Sequence, residues 1–220
     1  MSPRVLFEKE LADLRQDVLQ MAEWVEDGYD CLFEALKKRD AETMKRFVRH
    51  DRTIGEMQRN IESRCLSLLT RQTPVARDLR TVSAALKIVT DLERIGNHLS
   101  DMAELFVRMD YPELSAYSVH LPGMVENTKK IMRDGATAFA SRNTELAKAV
   151  IADDDVIDDA FNQVKMDLVK EIRAERADVD VCVDALMAAK YLEKIGDHAV
   201  NIAEWTIFQE TGVMDDVRLL

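Results

Sequence analysis

LERIGNHLSDMAE occupies residues 92–104 and LEKIGDHAVNIAE residues 192–204, with seven of thirteen positions identical at an offset of one hundred residues. Around the first copy Ile88, Leu92, Ile95, Leu99 and Met102 recur three and four residues apart, the spacing of one apolar helix face. Each copy carries a glycine inside the helical pattern, Gly96 and Gly196. A helix-interior glycine costs about 1 kcal/mol relative to alanine. The paired placement therefore predicts a close approach by a neighbouring helix, at the edge between the apolar face and the face opposite.

That opposite face is acidic. At 100° per residue, Glu93, Asn97, Asp101 and Glu104 fall within about 80° of one another, and Glu193, Asp197, Asn201 and Glu204 repeat the stripe. Carboxylates at i and i+4 repel by a few tenths of a kcal/mol, and a merely solvated face more often mixes charge signs. Arg94 and Lys194 flank the stripe. His98 and His198 lie on the side nearer the core, as boundary histidines.

The duplication extends outward from the motif. Helical spacing covers nearly all of the 220 residues, and no stretch alternates as a strand. Breaks near Lys37–Asp40, Thr73–Pro74, Tyr111–Pro112, Ser141–Asn143 and Ala177–Asp178 predict six helices: 4–37, 40–70, 74–109, 113–141, 143–174 and 178–210. Thr73–Pro74, Asn143 and Asp178 are helix-start signals. The third helix matches the sixth at an offset of 100. The second matches the fifth at 103, with Asp51 on Asp154 and Ile54 on Ile157. The chain reads as all-α, two tandem three-helix bundles spanning residues 1–110 and 111–220 and linked near Met109–Glu113.

With the turn between the fifth and sixth helices near Arg176, Asp154 lies 22 residues before it and Asp197 lies 21 after; Asp158 lies 18 before and Glu193 lies 17 after. In an antiparallel pair these four carboxylates come level. Such a gathering calls for a cation or for protonation, and oxygen donors of this kind suit hard cations, iron or manganese. The first copy is thinner. Gly55 stands where Asp158 would be and Asn97 where Asp197 would be, leaving Glu93, Asp51, Asn97 and Asp101.

Composition removes other classes. The net charge is −11, with 18 basic and 20 acidic residues in 1–110 against 12 and 21 in 111–220. Such a chain is a poor binder of nucleic acid or anionic lipid. No run approaches the roughly 18 apolar residues of a membrane span. MSPRVLFEKELADL, charged throughout, does not read as a signal peptide. Cys31, Cys65 and Cys182 form no CxxC and predict no disulfide framework, in keeping with the cytoplasm. There is no glycine-rich phosphate loop, no GxSxG, and no His with Glu three residues before it, the pattern of di-iron bundle enzymes. Arg71, Arg77 and Arg80 make a cationic stretch, open to a partner or to helix-cap packing.

The paired LERIGNHLSDMAE and LEKIGDHAVNIAE, QTPVARDLR at 72–80 and IFQETG at 207–212 resemble the signatures of the PhoU family of phosphate-uptake regulators. The resemblance implies a non-enzymatic cytoplasmic regulator that restrains phosphate transport and phosphate-starvation signalling. It also implies contacts with the ATPase subunit of a phosphate ABC transporter and with a sensor histidine kinase, a homodimer, and surface metal clusters of iron, zinc or magnesium. The family's Glu-x-x-x-Asp maps onto Glu193 and Asp197 intact and onto Glu93 and Asn97 with the second carboxylate lost; its helix-two Asp pair maps onto Asp154 and Asp158, and onto Asp51 and Gly55 in part. Two other readings stand beside it: a helix-bundle carboxylate metalloenzyme, and a metal-free helical scaffold whose acidic face docks a basic partner.

Overall fold

The computed structural model describes residues 3–47, 51–71, 75–108, 114–214 and 217–218. Its helices are α1 (Pro3–Lys38), α2 (Ala41–Phe47), α3 (Asp51–Arg71), α4 (Ala76–Arg108), α5 (Leu121–Ser141), α6 (Thr144–Arg173) and α7 (Val179–Thr211). After α7 comes a small antiparallel pair, β1 (Val213–Met214) with β2 (Val217–Arg218). The fold is all-α, two tandem three-helix bundles. One is built from α1, α4 and the α2–α3 pair, the other from α5, α6 and α7.

Local chemistry explains most of the ends. Asn143 caps α6 by accepting from Leu146 N at 3.0 Å, and Asp178 caps α7 by accepting from Asp180 N at 2.8 Å, both as the sequence predicts. The Thr73–Pro74 start lies outside the described residues, as does the Met109–Glu113 link. The helix expected at 40–70 is described as α2 and α3, and residues 48–50 between them lie outside the described residues. One boundary departs from expectation. The fourth helix begins at Leu121 rather than 113, after a short 3-10 turn at Leu114–Ala116. There the Ser118 hydroxyl accepts from His120 N at 3.2 Å and donates to Asp167 at 2.7 Å. Pro122 then sits in the opening turn, where its missing N–H costs nothing.

The two bundles meet along α4 and α7. Arg108 pairs with Asp184, Asp91 with His198 and Arg77 with Glu210, so these helices run antiparallel. α1 and α5 do likewise: Tyr29 Oη donates to the Val125 carbonyl at 2.8 Å, Lys129 Nζ stands 3.7 Å from Glu26, and Arg15 lies close to Arg142. Ile88, Leu92, Ile95, Leu99 and Met102 are fully buried, and so are Leu192, Ile195, Ala199 and Ile202. One continuous core therefore joins both repeats, and the motif's apolar faces supply its centre.

The helical glycines answer to close contact. A Cβ on Gly96 would stand 2.5 Å from Ile54 Cδ1, and one on Gly196 would stand 2.6 Å from Asp154 Oδ1. In each repeat the second helix thus presses on the motif helix at its glycine. Ile54 is buried, so its end can make way for a methyl group only by crowding the core, and the overpacking in Gly96→Ala should outweigh the gain in helix propensity and lower stability by on the order of 1 kcal/mol. At Gly123 nothing lies within 4 Å of the position a methyl group would take, so Gly123→Ala should instead raise stability by about 0.5 kcal/mol. Thermal melts of the two variants should move in opposite directions; a Gly96→Ala protein melting above the parent would refute the close-packing assignment.

Candidate metal centre

The α6–α7 hairpin brings Asp154 and Asp158 against Glu193 and Asp197, as the register predicts. Burial first, then the charges of Asp158, Asp197 and Glu193, raise the Asp154 carboxyl to about 6. Asp158 is raised by burial and then by Glu193 and Asp197. Gly196 makes the room: the Asp154 carboxylate lies against the α7 backbone where any side chain would stand.

Two lysines share the site. Lys190 Nζ reaches Glu193 Oε1 at 2.5 Å, Lys194 Nζ stands 3.4 Å from Glu193 Oε2, and Lys194 also pairs with Asp197. Both reach the stripe from one turn away. Four carboxylates face two ammonium groups, which leaves an excess of negative charge. Asp154 Oδ1 and Glu193 Oε2 are buried and accept no hydrogen bond. Unsatisfied buried carboxylate oxygens are costly, and they fit an oxygen-seeking cation. Among the described residues no three His, Cys, Asp or Glu side chains already stand as a ligand set. Loading would therefore require Lys190 and Lys194 to release their carboxylates.

The first repeat places its counterparts differently. Glu93 accepts from Asn97 Nδ2 at 3.0 Å, so the amide meets the carboxylate directly. Ile54 fills the space over Gly96 that Asp154 takes over Gly196. Asp51 opens α3, and its side chain lies outside the described residues. Asp101 turns to the α4–α7 seam, toward Tyr191. Asn201 does the same from the second repeat, donating to Asp91 Oδ1 at 3.2 Å rather than joining the carboxylates of its own stripe.

That seam is a polar cluster not anticipated from the sequence. His198 Nδ1 lies 2.8 Å from Asp91 Oδ1, and the His98 and His198 rings stack at 5.5 Å. Burial, then the charges of His198, Lys194 and Arg94, push His98 down to about 4. The available signal was the pairing of Asp91 with Tyr191 at the repeat offset, each seven residues, or two turns, before its motif histidine, but nothing in one helix says which face meets the other bundle.

A duplicated three-helix bundle with glycine-seated contacts and an acidic face on each motif helix defines the class of protein. The PhoU domain model matches residues 18–106 and again residues 121–206. The chain belongs to the PhoU family. It is 33% identical over 217 residues to a phosphate-specific transport system accessory protein PhoU homolog of Clostridium acetobutylicum, covering 98% of this chain and 99% of that one. A homolog of the same description from Methanothermobacter thermautotrophicus is 31% identical, covering 95% and 96%. The crystal structure of PhoU from Pseudomonas aeruginosa superposes with a TM-score of 0.83 at 30% identity, over 94% of this chain and 100% of that one. That of the phosphate transport system regulatory protein PhoU from Streptococcus pneumoniae gives 0.88 at 25% identity, over 96% and 100%. Among the described residues no helix is long and apolar enough to cross a membrane.

A raised carboxyl means that the folded chain holds its proton more tightly than the unfolded chain. The Asp154 contribution is thus fully present below about pH 4 and is lost as pH rises through about 6. In chelator-treated protein, Asp154→Asn should flatten stability between pH 4 and 7 and stabilise the neutral-pH fold by on the order of 1 kcal/mol, after allowance for solvent screening. Denaturant melts at pH 4, 5.5 and 7 would read this, and an unchanged pH slope in the variant would count against the crowded-carboxylate geometry.

Proposed function

We propose that the chain is a non-catalytic cytoplasmic regulator of phosphate uptake and phosphate-starvation signalling. The observation that carries this reading is the match of the PhoU domain model to both repeats, together with near full-length relatives described as accessory proteins of a phosphate-specific transport system. In this reading its partners are the ATPase subunit of a phosphate ABC transporter and a sensor histidine kinase, and it works as a homodimer. An adaptor of this kind acts by binding one conformation of a partner more tightly than another, so the differential affinity sets how far the partner's equilibrium moves. Deleting the chain should raise expression of phosphate-starvation genes in cells kept at high phosphate. Unchanged expression in the deletion strain would reject the assignment.

Asp154, Asp158, Glu193 and Asp197 are the residues that would hold a metal ion, iron, zinc, manganese or magnesium. The buried Asp154 oxygen that accepts no hydrogen bond, and the Glu193 oxygen held only by the Lys194 ion pair, support this reading. Bound there, the ion supplies the positive charge that lets the carboxylates converge. Gly196 keeps the Asp154 carboxylate against α7, and Lys190 and Lys194 hold the charge balance otherwise. Glu93 and Asn97, with Asp51, would form a weaker first-repeat site, with an amide in place of one carboxylate and without Asp101, which faces Tyr191 at the seam.

Metal at about one hundred times its dissociation constant stabilises a fold by about 2.7 kcal/mol. The chelator-stripped chain should therefore melt several degrees higher on addition of at least one of these ions, and the fourfold variant Asp154→Asn, Asp158→Asn, Glu193→Gln, Asp197→Asn should gain nothing. A parent chain indifferent to every one of these ions would leave the scaffold reading in place of the metal one.

A further inference from the structure

The end of the molecule where α4 begins and α5 and α7 finish gathers four arginines around one carboxylate. Arg142 closes α5 in the left-handed conformation, φ 59°, and sets its Nε 2.6 Å and its Nη2 3.0 Å from the two Glu210 oxygens. Arg77, in the opening turn of α4, donates to Glu210 Oε2 at 3.0 Å. Arg80 donates from Nε to the Gln209 carbonyl at 3.2 Å and from Nη2 to the Glu210 carbonyl at 3.5 Å, covering the open carbonyls at the end of α7. Arg15 of α1 is the fourth. It is half-buried, repelled by Arg142 and attracted by Glu210, and it makes no hydrogen bond or ion pair among the described residues.

The charge balance here runs against that of the whole chain. Beside the Arg4–Asp78 pair in the same turn of α4, which is matched one to one, these four guanidinium groups share the single carboxylate of Glu210 within a protein of net charge −11. The fold does not require this arrangement. At the repeat offset the counterpart of Arg80 is Asp180 and that of Arg77 is Ala177. At the opposite end, where α7 begins and α4 finishes, each arginine paired among the described residues has its own carboxylate, Arg108 on Asp184 at 2.9 Å and Arg176 on Glu171 at 2.8 Å. Helix capping accounts for Arg80 and in part for Arg142, but not for Arg15.

Glu210 holds the Arg77 and Arg142 forks in fixed positions without using all of their N–H groups, since each guanidinium offers five donors. What remains is a set of oriented donors with unmatched positive charge. A phosphoryl group brings up to two negative charges and three strong acceptor oxygens, and the planar guanidinium fork pairs with it through two parallel hydrogen bonds. We propose that Arg15, Arg77, Arg80 and Arg142 form a binding site for a small phosphate oxyanion, either inorganic phosphate or the terminal group of a small phosphomonoester. The site is separate from the carboxylate cluster: Glu210 lies 13 residues beyond Asp197 on α7, about 20 Å along the axis.

Calorimetric titration of the full, chelator-treated chain with sodium phosphate, with glycerol phosphate and with sodium chloride at matched ionic strength tests this. One of the two phosphates should bind saturably, one per chain, above the chloride background. Arg15→Gln should weaken that binding by about tenfold or more while leaving the anion-free melting temperature close to the parent's, because Arg15 holds no structural pair. Tighter binding of inorganic phosphate identifies the free ion as the ligand, and tighter binding of glycerol phosphate identifies the monoester; either supports the site. No saturable heat beyond chloride, or an Arg15→Gln chain that binds like the parent, overturns it. The fourfold carboxylate variant should bind the anion normally. Loss of anion binding in that variant would move the ligand to the carboxylate cluster and also overturn the proposal, whatever becomes of the metal reading.

Discussion

The antiparallel packing of α4 on α7 is the contact on which the rest of the molecule depends. Leu92, Ile95 and Leu99 on one side and Leu192, Ile195 and Ala199 on the other are sealed from water, and each motif helix can reach its partner only because its own bundle lies on its other flanks. An apolar stripe of that width has to be covered on two sides. A single three-helix repeat would leave part of it wet, which is the physical reason for duplication. The remaining face of each motif helix is then left for charge, and Gly96 and Gly196 set how closely the second helix of each bundle approaches that face.

From that shared frame the repeats diverge in what fills the contact. In the second repeat a carboxylate, Asp154, occupies the space over glycine and stays partly unsatisfied. In the first, the methyl end of Ile54 occupies it, and Glu93 is satisfied internally by Asn97. One frame therefore yields a charge-frustrated site and a quiet one. The frustration is held in check by Lys190 and Lys194, whose long stems let an ammonium reach carboxylates one turn away. Displacing an ammonium by an ion is an exchange of partners, which costs less than desolvating four bare carboxylates.

The helical periods, the duplication and the caps at Asn143 and Asp178 were legible because each is local: a spacing, an offset, a side chain reaching three residues on. The meeting of Asp154 and Asp158 with Glu193 and Asp197 was legible too, because a short turn converts sequence distance into level. What escaped was whatever depends on contact between the bundles. Asp101 and Asn201 belong to the acidic stripes by angle, yet face Tyr191 and Asp91 across the seam, and no arithmetic within one repeat places that seam. Lys194 reads as a flanking residue at Cα level, but its charge sits about 6 Å from its backbone, so angular position understates its reach. The late start of α5 rests on individual residues such as Ser118, whose hydroxyl competes with the helix ladder.

The distribution of charge follows from the same antiparallel relation. Equivalent helix ends of the two repeats lie at opposite poles of the molecule, so a substitution in one repeat changes one pole alone. Arg80 and its counterpart Asp180 differ by two charges, and Arg142 and its counterpart Arg39 both close their helices with positive φ while only Arg142 meets a carboxylate across the repeats. A duplicated fold with parallel halves would have spread such differences along one side. Here they concentrate guanidinium at one pole and set the carboxylate crowd on the face between the poles. The two regions are far enough apart along the helices for solvent to screen each from the other, so each can be loaded or emptied without first paying for the state of its neighbour.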